Sequence, residues 1–449
     1  MAEIATASGF RRRLMPYAMA TLTSPHTRAT RRWLAEGRRR LRREPHRVLY
    51  FHQVDDPYSQ LAAQALPEFL RRYDVSLAPQ LVDAPGDAAA PERALLAAFA
   101  RRDAADVAPG YGLAFPPRAV APRAPSIELA ARILAAAVAS GDFASCASRV
   151  GAALWARDDA GLRLLAAERG AASPEQARAA QAAGAALRGQ LGHYLGGMFF
   201  YAGEWYWGVD RLQHLERRLQ KLGALRSGVR SAPIAPRPAL GAAAAPASRA
   251  RIALEFYPSL RSPYSYLAMQ PVFELARRYP IDLALRPVLP MVMRGLPVPR
   301  VKQLYILLDS KREAEDLGVP FGRVCDPVGR PVERCFSLYR WACARGRGPA
   351  LLHAFTRAAF AEGIDTGSDS GMRHVVERAG LSWDEARAQP RDEGWREELE
   401  GNRAQLFALG LWGVPSFRIL GGPGEPDFCT WGQDRLWRVE AELRERMGG

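Results

Sequence analysis

The chain has 449 residues, 48% hydrophobic and 24% charged, with a net charge of +15. That length exceeds one hydrophobic core and predicts two or three domains of a globular protein. No apolar run reaches the roughly 18–20 residues of a membrane span, and the five cysteines (Cys146, Cys325, Cys335, Cys343, Cys429) contain no C-x-x-C pair, which argues against a disulfide framework and for a reducing, cytoplasmic compartment.

Residues 1–45 read as a basic extension, with eleven arginines against three glutamates. Lysine is scarce throughout: Lys221, Lys302 and Lys311 are the whole set, and Asn402 is the only asparagine. This bias fits a high-GC genome, so arginine content alone implies no nucleic-acid partner, and none is expected. The arginine-rich faces also lack the aromatic interleaving of a single-strand binder. The extension lacks the compact apolar stretch and cleavage site of a secretory signal. It reads as a poorly ordered or helical arm of a bacterial cytosolic protein. A mitochondrial presequence, or an arm touching an anionic lipid surface or nucleic acid, is the alternative.

From residue 46 onward the chain repeats itself. Residues 47–81 and 251–288 each hold a short alternating strand, a D/S-P-Y-S turn, an amphipathic helix ending in Arg-Arg-Tyr, and a second strand. Near the ends, Trp207-Gly208-Val209-Asp210-Arg211-Leu212 matches Trp431-Gly432-Gln433-Asp434-Arg435-Leu436. Residues 46–222 and 250–449 therefore form two domains, joined by an Ala/Pro-rich linker at 223–249 that buries little. Helices are expected over Glu128–Ala139, Ala152–Ala167, Val301–Leu317, Glu333–Ala344 and Leu351–Phe360 in the middles of the copies. Strand–helix–strand, a helical insertion, then strand, strand and helix is the order of an α/β thioredoxin-like fold with an inserted helical subdomain. The fold class is two tandem thioredoxin-like domains, and the copies are candidates for packing as a pseudo-dimer.

Chemistry concentrates in the second copy. Ser262-Pro263-Tyr264-Ser265 opens its first helix, where unpaired N–H groups and the helix dipole stabilise an anion. Redox members of this fold carry C-x-x-C here; serine has no thiol redox couple, so disulfide exchange at this turn is excluded. Taken alone, Ser262 is an N-cap. Gly413-Val414-Pro415-Ser416-Phe417 precedes an alternating strand, and in this fold that proline is cis and faces the start of the first helix. The backbone of Val414 is then free to pair with an extended ligand; the plainer reading is a proline leading a strand.

SPYSYLA, Gly318-Val319-Pro320-Phe321, GVPSF and WGQDRL together resemble the 2-hydroxychromene-2-carboxylate isomerases. These are relatives of kappa-class glutathione transferases within the DsbA-like thioredoxin superfamily. The resemblance spans Arg251 to Glu445 and, as a degenerate copy, His46 to Leu222. It implies glutathione as cofactor and a small conjugated aromatic substrate. Ser262 would sit against the glutathione sulfur, Val414 and Pro415 would hold the cysteinyl portion, Gln433 and Asp434 the γ-glutamyl amino end, and Lys302 the glycyl carboxylate. Tyr264 and Tyr266 would line the substrate pocket, or one of them pack beneath the helix. The family's asparagine in the loop after strand two is missing from Pro290–Pro299.

In the first copy, Asp56 stands for the serine, with Asp55 beside it, and Met198 is aligned with the proline; this copy reads as structural, with a cation site at Asp55 or Asp56 as the alternative. The histidines show no zinc spacing, and Cys335 and Cys343 read as packing residues. Against the isomerase or transferase reading stand a catalytically silent binding protein and a DsbA-type oxidoreductase in fold only, since C-x-x-C is absent.

Overall fold

The computed structural model describes residues 9–241, 251–390 and 392–448. Parts of the basic extension (1–8) and of the linker (242–249) lie outside the described residues. The chain divides into two compact units, one of Thr30–Pro238 and one of Ala239–Gly449 with Met1–Ala29.

The first unit is built on β1 (His46–Gln53), β2 (Val75–Val82), β3 (Met198–Tyr201) and β4 (Glu204–Trp207) in the order β2-β1-β3-β4. β1 runs parallel to β2 from His46↔Val75 to Gln53↔Val82, and β3 is antiparallel to both β1 and β4. The helix Pro57–Arg72 makes the parallel crossover. The second unit repeats this with β5 (Ile252–Tyr257), β6 (Ile281–Leu285), β7 (Ser416–Ile419) and β8 (Phe428–Trp431), in the order β6-β5-β7-β8, and the crossover helix Pro263–Arg278. Both are α/β units with mixed four-stranded sheets of thioredoxin-like order and helical insertions.

Each crossover helix starts on a proline, which lacks the N–H that would go unpaired there, and follows an acceptor side chain at the N-cap. Its apolar face covers the sheet. In the second unit Met269, Val272 and Leu275 join Leu254, Phe256 and Phe417 in the core; in the first, Leu66 and Phe69 join Val48, Tyr50 and Phe199. Burying such a side chain stabilises by roughly 1.5–3 kcal/mol.

Among the expected helices, Glu128–Ala139, Val301–Leu317, Glu333–Ala344 and Leu351–Phe360 fall within Ala124–Ser140, Arg300–Leu317, Arg330–Ala344 and Gly348–Phe360. Ala152–Ala167 is corrected: two helices, Phe143–Trp155 and Asp159–Arg169, meet there. Arg157 is left-handed at φ 57°, and the Asp158 carboxylate accepts the Gly161 N–H at 2.8 Å, capping a new helix. An apolar rhythm that continues across the break hides it from the sequence. Cys335 is fully buried and Cys343 exposed on their common helix. The described part of the basic extension is helical, Gly9–Thr23 and Pro25–Leu41. Thr23 donates to the Gly322 carbonyl at 3.3 Å within the second unit, and Arg32 makes a bidentate pair with Glu204 within the first.

The two Arg-Arg-Tyr helix ends are anchored alike. The Tyr73 hydroxyl donates to Glu216 at 3.2 Å, and the Tyr279 hydroxyl to Glu440 at 2.8 Å, on the last helix of each unit. Each carboxylate also accepts a backbone N–H from the segment after its unit's sheet or before the next, Ile234 for Glu216 and Gly241 for Glu440. Arg278 pairs with Glu440 at 2.8 Å. Burial pushes the Glu216 carboxyl up from 4.5 to about 7. A carboxyl raised in the folded state favours folding in its protonated form, so this contribution is present below about pH 4.5 and is lost as pH rises through about 7. Denaturant unfolding at a series of pH values checks this: Glu216→Gln should flatten the decline between those limits.

Candidate functional site

After β5 the chain turns at Pro258–Arg261 and enters helix Pro263–Arg278. Ser262 is extended (φ −95°, ψ 114°) and half-buried, and its hydroxyl accepts the Ser265 N–H at 3.2 Å. Its own O–H finds no acceptor among the described residues. Ser265 is buried and its hydroxyl accepts the Ser259 N–H at 3.1 Å, which pins the turn to the helix. Serine-262 is therefore an N-cap, as its plainer reading expects, with a donor still available at the positive end of a 16-residue helix.

The Val414–Pro415 bond is cis. The Ser416 hydroxyl donates to the Gly413 carbonyl at 2.8 Å, and the Gly432 N–H donates to the Pro415 carbonyl at 2.9 Å. Val414 is partly exposed and its backbone groups make no hydrogen bond among the described residues. Trp431 fixes this loop from one side. Its ring occupies the space a Cβ on Gly413 would need, so only glycine fits there. Trp412 packs edge-on against Trp431 at 5.5 Å, and the Lys302 ammonium lies 5.4 Å from the Trp412 ring. Burial pushes the Lys302 amine down from 10.5 to about 8. The two tryptophans tie Lys302 to the cis-proline loop. Their sequence signal, a Trp two residues before Val414 and another before WGQDRL's glycine, was there to be read.

Gln433 and Asp434 follow β8 in a single 3-10 turn that lies against the first helix, and both are buried. The Gln433 amide donates to Glu313 at 2.8 Å, and Asp434 lies 3.6 Å from Arg435. Glu313 belongs to helix Arg300–Leu317, the helix of Lys302, and so does Asp309, which accepts the Tyr264 hydroxyl at 2.7 Å. A buried polar cluster of Asp309, Arg312, Glu313, Gln433, Asp434 and Arg435 thus joins the elements that carry Ser262 and Lys302. Sequence reading missed Glu313 and Arg312 in it. Of the two tyrosines, Tyr266 takes the packing alternative and not the pocket: it lies in the core with Leu267, Phe321 and Phe360, and its hydroxyl donates to the Pro320 carbonyl at 2.9 Å. Its position one turn into an amphipathic helix places it on the buried face. The chain's one asparagine, Asn402, reaches the loop after strand two from outside it, donating to the Pro287 carbonyl at 3.0 Å.

The first unit keeps this frame and changes the reactive positions. The Tyr58 hydroxyl donates to Asp103 at 2.8 Å, the counterpart of Tyr264 and Asp309, with the same separation of 45 residues. Asp56 caps the helix, accepting from Tyr58 N, Ser59 N and the Ser59 hydroxyl at 3.3, 2.9 and 2.7 Å. Desolvation, aided by Asp55, pushes the Asp56 carboxyl up to about 6. The strand register corrects the alignment of Met198. Phe51 pairs with Met198 as Tyr257 pairs with Ser416, so Gly197 is the counterpart of Pro415. Gly208 N donates to the Gly197 carbonyl at 2.7 Å, as Gly432 does to Pro415. Gly197 has φ 64°, a conformation proline cannot adopt. Among the described residues no group of three or more His, Cys, Asp or Glu is placed to hold a metal ion, at Asp55 and Asp56 or elsewhere.

Residues 253–444 match the family model of the DSBA-like thioredoxin domain. The chain is 27% identical over 206 residues to 2-hydroxychromene-2-carboxylate isomerase from Sphingobium xenophagum, a match that covers 42% of this chain and 97% of that protein. Among solved structures, a 2-hydroxychromene-2-carboxylate isomerase is 23% identical, with a TM-score of 0.35 over 42% of this chain and 94% of the other. The cytosolic disulfide reductase DsbM from Pseudomonas aeruginosa, in a structure with GSH, is 19% identical, with a TM-score of 0.30 over 43% and 99%. Among the described residues no helix is long and apolar enough to cross a membrane. With its sheet order and the family match over residues 253–444 in agreement, the C-terminal half of the chain is a DSBA-like thioredoxin domain and, by its 27% identity, a distant homologue of 2-hydroxychromene-2-carboxylate isomerase.

Proposed function

We propose that the C-terminal unit is a glutathione-dependent isomerase or transferase of the 2-hydroxychromene-2-carboxylate isomerase type, acting on a small conjugated aromatic substrate. The Ser262 hydroxyl carries this reading. It accepts one backbone N–H and keeps its hydrogen to donate, at the positive end of a helix. A sulfur bound there is favoured as thiolate by that hydrogen bond and by the dipole.

The remaining residues fit glutathione in kind. Val414 offers an amide and a carbonyl to a peptide-like ligand. Burial disfavours the charged form of Lys302, and a ligand carboxylate beside it would favour that form. The Asp434 carboxylate suits an ammonium, and Gln433 is oriented for it by Glu313. Glutathione supplies a thiol that adds to a conjugated carbon and leaves it, so that a double bond of the substrate is for a time a rotatable single bond. Ser262 holds the sulfur as thiolate before addition and accepts it again on elimination, and Val414 with Lys302 keeps the tripeptide in place. In the first unit Asp56 puts a carboxylate where the thiolate would sit, which opposes it, and that unit acts as scaffold.

Calorimetry with glutathione tests the assignment. Saturable binding is expected, with Lys302→Met and Asp434→Asn each weakening it about tenfold, as loss of a charge-assisted bond does. No binding at millimolar glutathione overturns the reading and leaves a non-catalytic thioredoxin-fold binding protein. Ser262→Ala has a separate signature. The ultraviolet thiolate absorbance of the wild-type complex should titrate at lower pH than free glutathione, and in Ser262→Ala it should return towards the free value. The same variant loses its cap and about 1 kcal/mol of stability by denaturant unfolding.

A further inference from the structure

In the N-terminal unit an open groove of about 560 Å³ lies between the Ala114–Pro116 turn and helix Phe143–Trp155. Phe115 and Trp155 form its aromatic wall, ring centroids 5.1 Å apart, and Gln60, Gln64 and Ser148 complete it with exposed Arg149. The size and the mainly apolar lining suit a small molecule.

The C-terminal unit shows the same region filled. Gly318-Val319-Pro320-Phe321 repeats Gly112-Leu113-Ala114-Phe115. Phe360 ends a 13-residue helix as Trp155 does, and packs on Phe321 at 6.2 Å. Tyr266 takes the place of Gln60 in the repeat, and its ring stacks between Phe360 at 6.0 Å and His353 at 6.3 Å. In the N-terminal unit Gln60 turns aside to donate to the Ser148 carbonyl at 3.1 Å, and no ring fills the space.

Three polar features mark the emptied region. The Trp155 indole N–H is buried and has no acceptor among the described residues, and Gln60 Oε1, also buried, has no donor. Arg149 stands where the other copy has Ala354, and its pairing with Glu168 at 3.2 Å is solvent-exposed on both sides. A buried N–H without a partner is costly unless a ligand supplies one.

We propose that this groove is a binding site for a planar aromatic carboxylate. Its ring lies on Phe115 and Trp155 in the space that the Tyr266 side chain fills in the other copy. Its carboxylate accepts from the Trp155 indole and pairs with Arg149. The site stands independently of Ser262 and of glutathione.

Calorimetry of the full chain with 2-naphthoate tests it, with neutral 2-naphthamide as the control. Saturable naphthoate binding is expected, weakened about fivefold in Trp155→Phe, which keeps a ring and removes the N–H, and by a similar factor in Arg149→Ala and for the amide. Gln60→Tyr restores the filling residue and should weaken binding at least about tenfold. Circular dichroism melting establishes that each variant is folded, and Trp155→Phe decides the matter if Gln60→Tyr is not. No saturable binding by the wild type, or equal binding by Trp155→Phe and Gln60→Tyr, overturns the proposal.

Discussion

The first turn of an α-helix leaves backbone N–H groups without carbonyl partners, and each unit of this chain places that turn directly after its central strand. Whatever residue caps the turn is held where the chain folds back through β3 or β7. In one unit the cap is a serine and in the other an aspartate, and both accept the N–H three residues on. The cap satisfies the helix either way. It differs in what it offers outward: a hydroxyl donates to an incoming anion, whereas a carboxylate raised to about 6 repels one once ionised. The loop that leads into β3 or β7 follows the same division, with a cis-proline in the copy that has the serine and a left-handed glycine in the other.

Comparison of the copies separates framework from chemistry. Tyr58 with Asp103 and Tyr264 with Asp309 repeat, as do Tyr73 with Glu216 and Tyr279 with Glu440. These buried phenol–carboxylate bonds join the crossover helix to the helical insertion and to the last helix. Their retention in a copy without the serine or the proline shows that they serve the fold. Lys302 over Trp412 and Gln433 on Glu313 are the arrangements peculiar to the second unit.

Much of this was legible in the sequence. Alternating strands, the S-P-Y-S turn, Arg-Arg-Tyr and the W-G-x-D-R-L ends gave the repeat and the order of elements along each copy, because strand period and cap chemistry are local. The helix break at Arg157 was hidden, since its cause is a left-handed residue and a cap in a continuous apolar pattern. Gly197 was displaced by one residue from its true counterpart because only strand pairing sets that register. For Tyr264 and Tyr266 both a pocket and packing beneath the helix stood open, because a tyrosine bears chemistry and packs equally well by composition; the helical face decides for packing at Tyr266. The buried cluster of Asp309, Arg312, Glu313 and Gln433 joins Gln433 to a helix 120 or more positions away, and no local pattern announces it.

The scarcity of lysine gives the Lys302–Trp412 contact a practical meaning. The chain carries three ε-amino groups, and burial pushes the one at the cis-proline loop down from 10.5 to about 8. An unprotonated amine is the nucleophile that acylating and reductive alkylating reagents require. Lys302 is thus a built-in covalent handle, whose rate of modification would fall as an anion settles beside it and so would report on the occupancy of the surrounding loop without any turnover.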